Sequence, residues 1–512
     1  MDSFSTPSIS RRNLLKTTAG IAATALTPAV SLAKNINRDD ELAWKSGLEL
    51  RQLMLDKKLS PVELTQYMLK RIAKLDPLIH SYVTIDEAGA IAQAKQLEQA
   101  LMQNKQTGLL FGLPISIKDL VMTKNLRTTY GSAIYKNNLP KWDEIQVERA
   151  RHAGAIILGK VNTSEFGMFS RTKNLVAGET LNPWNTAHIS GASSGGSGAA
   201  VAMGISGLSI ASDGGGSTRL PSCFNGVFGF QPSAGRIPMR IPRKTPMSST
   251  GPCTRYVEDA ALMMSVLGGP DPRDPSAIEH ANPNYLDALN RGVKDMKIAW
   301  TPDFGRIPTI DQRVTDSIQQ AAFRFKDAGA TVEAVETFMP ESSWEVFYTL
   351  NGAERGTMLA NLSPEQFDLL SPAIKSLFKR LQKSPKIFTK DMEIQALEHR
   401  AELYRWSETL FSKYDVICCP TTNMTAPKIP EGWQQPYEHP LFEHQISTPF
   451  THIANVLGLP AASVPCGFVD DLPIGLQIIG RRLEDAKVLR VAQSFAKIQP
   501  WMNNKPKLAM LS

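Results

Sequence analysis

Two glycine- and serine-rich runs hold the side chains that could do chemistry. Gly191-Ala192-Ser193-Ser194-Gly195-Gly196-Ser197-Gly198 is followed, 15 residues later, by Asp213-Gly214-Gly215-Gly216-Ser217-Thr218-Arg219. Glycine at this density costs conformational entropy, so it must supply unusual dihedrals, close backbone approach or free N–H donors. Several N–H groups converging just before a serine are what an oxyanion hole needs. A flexible linker has a similar composition, but apolar segments at 199–203 and 208–211 flank the runs as buried elements would.

A serine nucleophile needs a base. His188 is the histidine nearest these runs, and it sits in a polar segment without an orienting partner. Lys118 closes the apolar stretch Pro114-Ile115-Ser116-Ile117. A lysine among apolar groups has its charged form penalised by desolvation and can serve as a neutral base. A strand-end salt bridge is the plain alternative for Lys118. Motif matching alone misleads here. Ser376-Leu377-Phe378-Lys379 and Ser494-Phe495-Ala496-Lys497 both fit SxxK by chance. Gly191-Ala192-Ser193-Ser194-Gly195 fits the GxSxG elbow, which must follow a buried strand; Thr186-Ala187-His188-Ile189-Ser190 is too polar to be one.

The elements that must position these groups are short β-rich runs alternating with longer helices. Ser60-Pro61-Val62-Glu63 is a capping box with proline at the first helical position, opening a helix to about Lys74. Further helices are expected near 86–102, 145–153, 257–267, 311–328, 391–411 and 484–497, and strands near 114–117, 155–158, 297–300, 331–334, 415–419, 462–465 and 474–479. This alternation predicts one large α/β domain with a mixed, mostly buried sheet covered by helices on both faces. Residues 340–445 differ: they read as a mostly helical insert ending in a loop through Trp433, Tyr437 and Phe442. An insert between sheet elements suits a pocket wall or lid, and surface decoration fits equally.

Composition narrows the function classes. Over 512 residues, 42% are apolar and 21% charged, with 56 Lys+Arg against 49 Asp+Glu for a net charge of +7. That weak excess, without a dense basic run, argues against nucleic-acid binding. The five cysteines (Cys223, Cys253, Cys418, Cys419 and Cys466) form no CxxC, and no two of the eight histidines stand at HxxxH spacing. Neither a metal site nor another cofactor is expected.

At the N-terminus, Ser10-Arg11-Arg12-Asn13-Leu14-Leu15-Lys16 precedes a mild apolar run and Ser31-Leu32-Ala33. Paired arginines before a short apolar stretch and a small-x-small site read as a twin-arginine signal at 1–33. The expectation is an exported, periplasmic or secreted protein with a mature domain at 34–512. The apolar run is too short to span a bilayer, which takes about 20 residues, so stable membrane insertion is not expected.

Taken together, Gly112-Leu113-Pro114-Ile115-Ser116-Ile117-Lys118-Asp119, the two glycine-rich runs and Gly229-Phe230-Gln231-Pro232-Ser233 resemble the amidase signature family. Gly159-Lys160-Val161-Asn162, Asn182-Pro183-Trp184, Asn455-Val456-Leu457-Gly458-Leu459-Pro460 and Pro473-Ile474-Gly475-Leu476-Gln477 extend the likeness. The resemblance implies amide hydrolysis by a Ser–cis-Ser–Lys triad, with Ser217 as nucleophile, Ser193 as the bridging serine and Lys118 as base. It implies an oxyanion hole from the N–H groups of Gly214, Gly215, Gly216 and Ser217. Ser194, Asp213 and Arg219 take supporting roles, the last two as an ion pair holding the loop. Ala192 replaces the family's usual glycine before the bridging serine, and DGGGSTR replaces the commoner DTGGSIR. The added glycine is similar to a subgroup acting on aryl, linear or cyclic amides.

The function implied is hydrolysis of a small carboxylic or aryl amide, with a homodimer compatible with it. A peptide-amide hydrolase or an esterase would use the same triad. The glutaminase subunit of the tRNA-dependent amidotransferase normally carries glutamine after the motif's arginine, where this chain has Leu220. A catalytically inactive binding protein on the same scaffold is the alternative of a different class.

Overall fold

The computed structural model describes residues 41–105, 108–240, 247–383, 389–434 and 450–511. The signal expected at 1–33 lies outside the described residues, as do Tyr437 and Phe442 of the expected loop. Residues of neighbouring strands alternate between two hydrophobic clusters. Ile298, Trp300, Cys418 and Ile478 join one, while Ala299, Ile417, Cys419 and Ile479 join the other. Successive side chains of a strand point to opposite faces, so this division means that both faces of the sheet are buried.

The main sheet has eleven strands in a single α/β domain. Its strands are β1 (Tyr82–Ile85), β2 (Pro114–Lys118), β3 (Ile156–Val161), β6 (Leu208–Asp213), β7 (Phe228–Gln231), β8 (Ser249–Thr254), β9 (Lys297–Trp300), β10 (Thr331–Ala334), β11 (Val416–Pro420), β12 (Ala461–Val469) and β13 (Leu472–Gly480); β4 (Lys173–Asn174) and β5 (Gly178–Glu179) form a separate hairpin. The spatial order is β1-β3-β2-β6-β8-β7-β12-β13-β11-β9-β10. Parallel pairs β3·β2 and β2·β6 lie towards one side, β11·β9 and β9·β10 at the other, and antiparallel strands join them.

Local signals set the helices. Ser60 accepts hydrogen bonds from the N–H groups of Val62 and Glu63, and Pro61 begins a helix that runs to Leu75. Asp86 caps Glu87–Met102 by accepting from Gly89 N–H. The helix expected across 311–328 divides: Gln312–Phe323 is α-helical and Arg324–Ala328 tightens to a 3-10 turn. Between 340 and 434, helices occupy Ser343–Ala360, Pro364–Asp368, Pro372–Lys383 and Lys390–Phe411. Leu359, Ala373 and Ile374 from these helices, with Leu370 from the turn between two of them, pack against Met168 and Phe169. Among the described residues, no helix is long and apolar enough to cross a membrane.

Candidate active site

The chemically interesting residues meet where parallel strands β2 and β6 end. Ligand sites of open α/β sheets favour the carboxyl ends of strands. Lys118 is the last residue of β2 and Asp213 the last of β6. Ser193 and Ser194 precede the helix Gly195–Ala202, and Gly214 to Thr218 form the turn before the helix Arg219–Asn225. The second turn requires glycine at Gly216, where φ is +127° and an added Cβ would overlap Thr451 Oγ1.

Lys118 is fully buried. Its Nζ lies 2.7 Å from both Ser193 Oγ and Ser194 Oγ, and 3.2 Å from the Ser212 carbonyl oxygen. Ser194 Oγ in turn donates to that same carbonyl at 3.0 Å. Ser193 is 2% exposed, whereas Ser217 is half-exposed in its turn. Lys118, Ser193 and Ser194 are therefore one hydrogen-bonded cluster. Among the described residues Ser217 is not hydrogen-bonded to Ser193. His188 engages Asn182, Asn185 and Lys428 through its backbone, and no described contact brings it to the cluster.

A buried ion pair fixes the glycine turn. Arg219 Nε and Nη2 each donate at 2.9 Å to opposite oxygens of Asp213, with both side chains fully buried. Nη1 donates to Thr451 O and Gln477 Oε1, and Nη2, whose two hydrogens face three acceptors, also lies 2.6 Å from both Gln231 Oε1 and Asn455 Oδ1. Burial pushes the Asp213 carboxyl up, but Arg219 and the hydrogen bonds outweigh it and hold it at about 2. Asp213 also accepts from the N–H groups of Gly216 (2.6 Å), Thr218 and Arg219. The Gly216 donor is thus committed inside the loop.

Further residues at the site carried weaker sequence signals. Lys160, in the Gly159-Lys160-Val161-Asn162 segment, is fully buried on β3 beside β2. Its Nζ donates to Val121 O and, at 3.0 Å each, to Thr123 Oγ1 and Thr128 Oγ1. Burial lowers its pKa to about 8 against the pull of Asp119. It thereby knots the segment that follows Lys118. Glu165 accepts from Ser132 Oγ at 2.7 Å and from Ser371 N–H at 3.0 Å, tying that segment to the helices after 340. Burial raises its carboxyl. Thr451 donates to Gly215 O at 2.7 Å. Among the described residues, no group of three or more His, Cys, Asp or Glu could hold a metal ion.

The fold and these motifs define an amide-hydrolysing enzyme, and the chain belongs to the amidase signature family: the Amidase family model matches residues 63–489. The glutamyl-tRNA(Gln) amidotransferase subunit from Geobacillus thermodenitrificans is 35% identical, the alignment covering 90% of this chain and 98% of the relative. Among solved structures, a bacterial aryl acylamidase of the same family superposes with a TM-score of 0.82 at 27% identity, covering 90% of this chain and 97% of that one. The glutamyl-tRNA(Gln) amidotransferase subunit from Thermotoga maritima gives a TM-score of 0.75 at 29% identity, covering 91% and 98%.

These relatives correct the expected location. An enzyme named for glutamyl-tRNA works where tRNA is, in the cytoplasm, and this chain matches such subunits over 90% of its length. The periplasmic or secreted location read from Arg11-Arg12 does not stand against that likeness. Its physical basis was slight: a basic pair before a mildly apolar stretch is a short pattern that carries no fold information.

Proposed function

We propose that this amidase hydrolyses the C–N bond of a small carboxylic or aryl amide through an acyl-enzyme on Ser217. The hydrogen bonding at Lys118 carries the reading. The Ser212 carbonyl can only accept, and Ser194, whose hydroxyl hydrogen is spent on that carbonyl, must accept from Lys118. A neutral amine that directs its two N–H groups to these acceptors turns its lone pair towards Ser193 Oγ, 2.7 Å away. Ser194 in this view sets the direction of the base rather than reacting.

The steps balance as follows. Ser193 passes its proton to Lys118 and takes the proton of Ser217, whose oxygen bonds to the amide carbon. The N–H groups of Gly214, Gly215 and Ser217 face the developing oxyanion; Gly216, held by Asp213, serves the turn instead. As the C–N bond breaks, Ser193 protonates the departing nitrogen and recovers a proton from Lys118. Water then cleaves the ester by the same relay, releasing the acid and restoring Ser217. The base must be neutral to accept, so kcat/KM rises with pH towards the alkaline side. A profile flat from about pH 5 to 10 with chemistry rate-limiting speaks against a lysine base. Incubation with EDTA leaves turnover unchanged in this mechanism, and metal-reversible loss of activity contradicts it.

A second reading, glutamine hydrolysis within an amidotransferase, is favoured by the 35% identity to the Geobacillus protein. Leu220, buried behind Gly216, stands against it as an apolar residue where that protein's kind normally carries glutamine. Purified enzyme supplied with acetanilide, acetamide or glutamine separates the two. Arylamine or ammonia from the simple amides supports the first reading, and release from glutamine alone supports the second.

A further inference from the structure

Tyr130 and Phe166 both hold left-handed backbone, with φ of 54° and 52°, and each is followed by a left-handed glycine, Gly131 at 67° and Gly167 at 69°. Bulky side chains rarely adopt this conformation, and where they do the strain is offset by the surroundings and tends to sit at ligand clamps. The two turns are locked together, since Phe166 N–H donates to Tyr130 O at 2.8 Å. Between the two rings stands Tyr135. Its ring centroid is 5.2 Å from Tyr130 at 75° and 6.2 Å from Phe166 at 90°.

The two turns that carry Tyr130 and Phe166 border the reacting groups. A Cβ placed on Gly167 would stand 3.6 Å from Ser193 Oγ and 2.8 Å from Leu120 Cδ1, so the Phe166–Gly167 turn walls the serine. Tyr130 belongs to the segment that leaves Lys118, and its N–H donates to Asp119 O at 3.0 Å. Tyr135 is 37% exposed and the other two are half-buried, Phe166 resting against the small apolar cluster of Met168 and Phe169, so each ring keeps some exposed surface. The Tyr130 hydroxyl is spent on Met122 Sδ at 2.6 Å, which leaves its ring face as the available surface.

We infer that Tyr130, Tyr135 and Phe166 form an aromatic platform at the mouth of the site that receives the ring of an aryl or arylalkyl amide and so sets substrate preference. The inference rests on the amide-hydrolase reading above and names its substrate class. The strained backbone supplies a sharp test. Glycine adopts positive φ freely, so Tyr130→Gly and Phe166→Gly remove a ring without distorting the turn.

The experiment measures kcat/KM for acetanilide and for acetamide in the wild type, the two glycine variants and Tyr130→Leu, with Tm recorded for each. Tyr130→Leu keeps apolar bulk should the glycine variant fold poorly. A platform predicts an acetanilide-to-acetamide ratio that falls about tenfold per ring lost, the scale of one aromatic contact, with Tm nearly unchanged. Rings that serve only packing predict a lower Tm and an unchanged ratio, which overturns the proposal. Acetanilide binding to Ser217→Ala protein, by calorimetry with and without Tyr130→Leu, reads the platform apart from turnover. Weaker binding in the double variant supports it, and equal or absent binding overturns it. Wild-type enzyme that turns over neither amide overturns the hydrolase reading instead, while the binding arm still decides the platform.

Discussion

Ser217→Ala is expected to lower kcat by at least about four orders of magnitude, because the nucleophile has no substitute once its oxygen is gone. A fluorophosphonate probe should no longer attach. Lys118→Ala leaves the nucleophile and the oxyanion donors in place, so its loss is that of a general base, roughly 10²–10⁴-fold. It should recover partly at high pH, where hydroxide replaces the amine. Ser193→Ala interrupts the relay by a similar factor, since a water can stand where its hydroxyl was. Ser194→Ala should cost less than either, because Ser194 orients Lys118 through a 2.7 Å hydrogen bond and passes no proton in the relay. Steady-state kinetics on the four variants checks the order Ser217 > Lys118 ≈ Ser193 > Ser194; equal losses at Ser194 and Ser193 contradict the assigned directions.

Arg219→Met is expected to destabilise the fold by about 3–5 kcal/mol, the cost of leaving a buried charge without its partner. Asp213 and Arg219 are both fully buried, and the guanidinium also holds Gln231, Asn455, Gln477 and Thr451. The sign of the pH dependence follows from the lowered Asp213 pKa of about 2. A depressed carboxyl contributes stability above its unfolded value, and that contribution disappears as pH falls from about 4 towards 2. In Arg219→Met the pull of the guanidinium is lost and burial is opposed only by the backbone N–H groups and Asn455, so the Asp213 pKa rises and the variant's deficit should shrink in acid. Urea denaturation at pH 7 and pH 4 measures it. A deficit that stays constant or grows at pH 4 contradicts the ion-pair account. The double variant Asp213→Asn, Arg219→Met should cost less than the two single changes added together.

Much of the frame was legible because its signals are local. The capping box at Ser60 and the short β-rich runs at β9, β10 and β11 are read from neighbouring residues, and the structure places elements there. Two central strands, β7 and β8, were not. β8 reads Ser-Thr-Gly-Pro-Cys-Thr, a turn-like composition, yet all six residues are buried between β6 and β7. Gly251 is there because an added Cβ would collide with Phe230 O of the neighbouring strand. Tertiary pairing overrides propensity at such positions. The short helix Arg219–Asn225 was hidden similarly, by Pro221 in seven residues.

At the site, the Asp213–Arg219 pair lay within one motif, six residues apart. Its outer partners did not. Asn455 and Gln477 come from 236 and 258 residues away, and nothing in the chain near Arg219 points to them. The resemblance implies a supporting part for Ser194, but the carbonyl of β6 that it shares with Lys118 is not legible in the chain. The twin-arginine reading shows the opposite hazard. A short pattern of neighbouring residues suggested export, and likeness across nine-tenths of the chain corrected it.

The central claim is that the half-exposed Ser217, not the buried Ser193, forms the covalent bond. Labelling the wild-type enzyme with a fluorophosphonate, digesting it and locating the adduct by mass spectrometry tests this most directly. The account requires the probe on Ser217, with labelling abolished in Ser217→Ala and merely slowed in Lys118→Ala. An adduct on Ser193, with Ser217→Ala labelling at the wild-type rate, would contradict it and make Gly191-Ala192-Ser193-Ser194-Gly195 the nucleophile's motif.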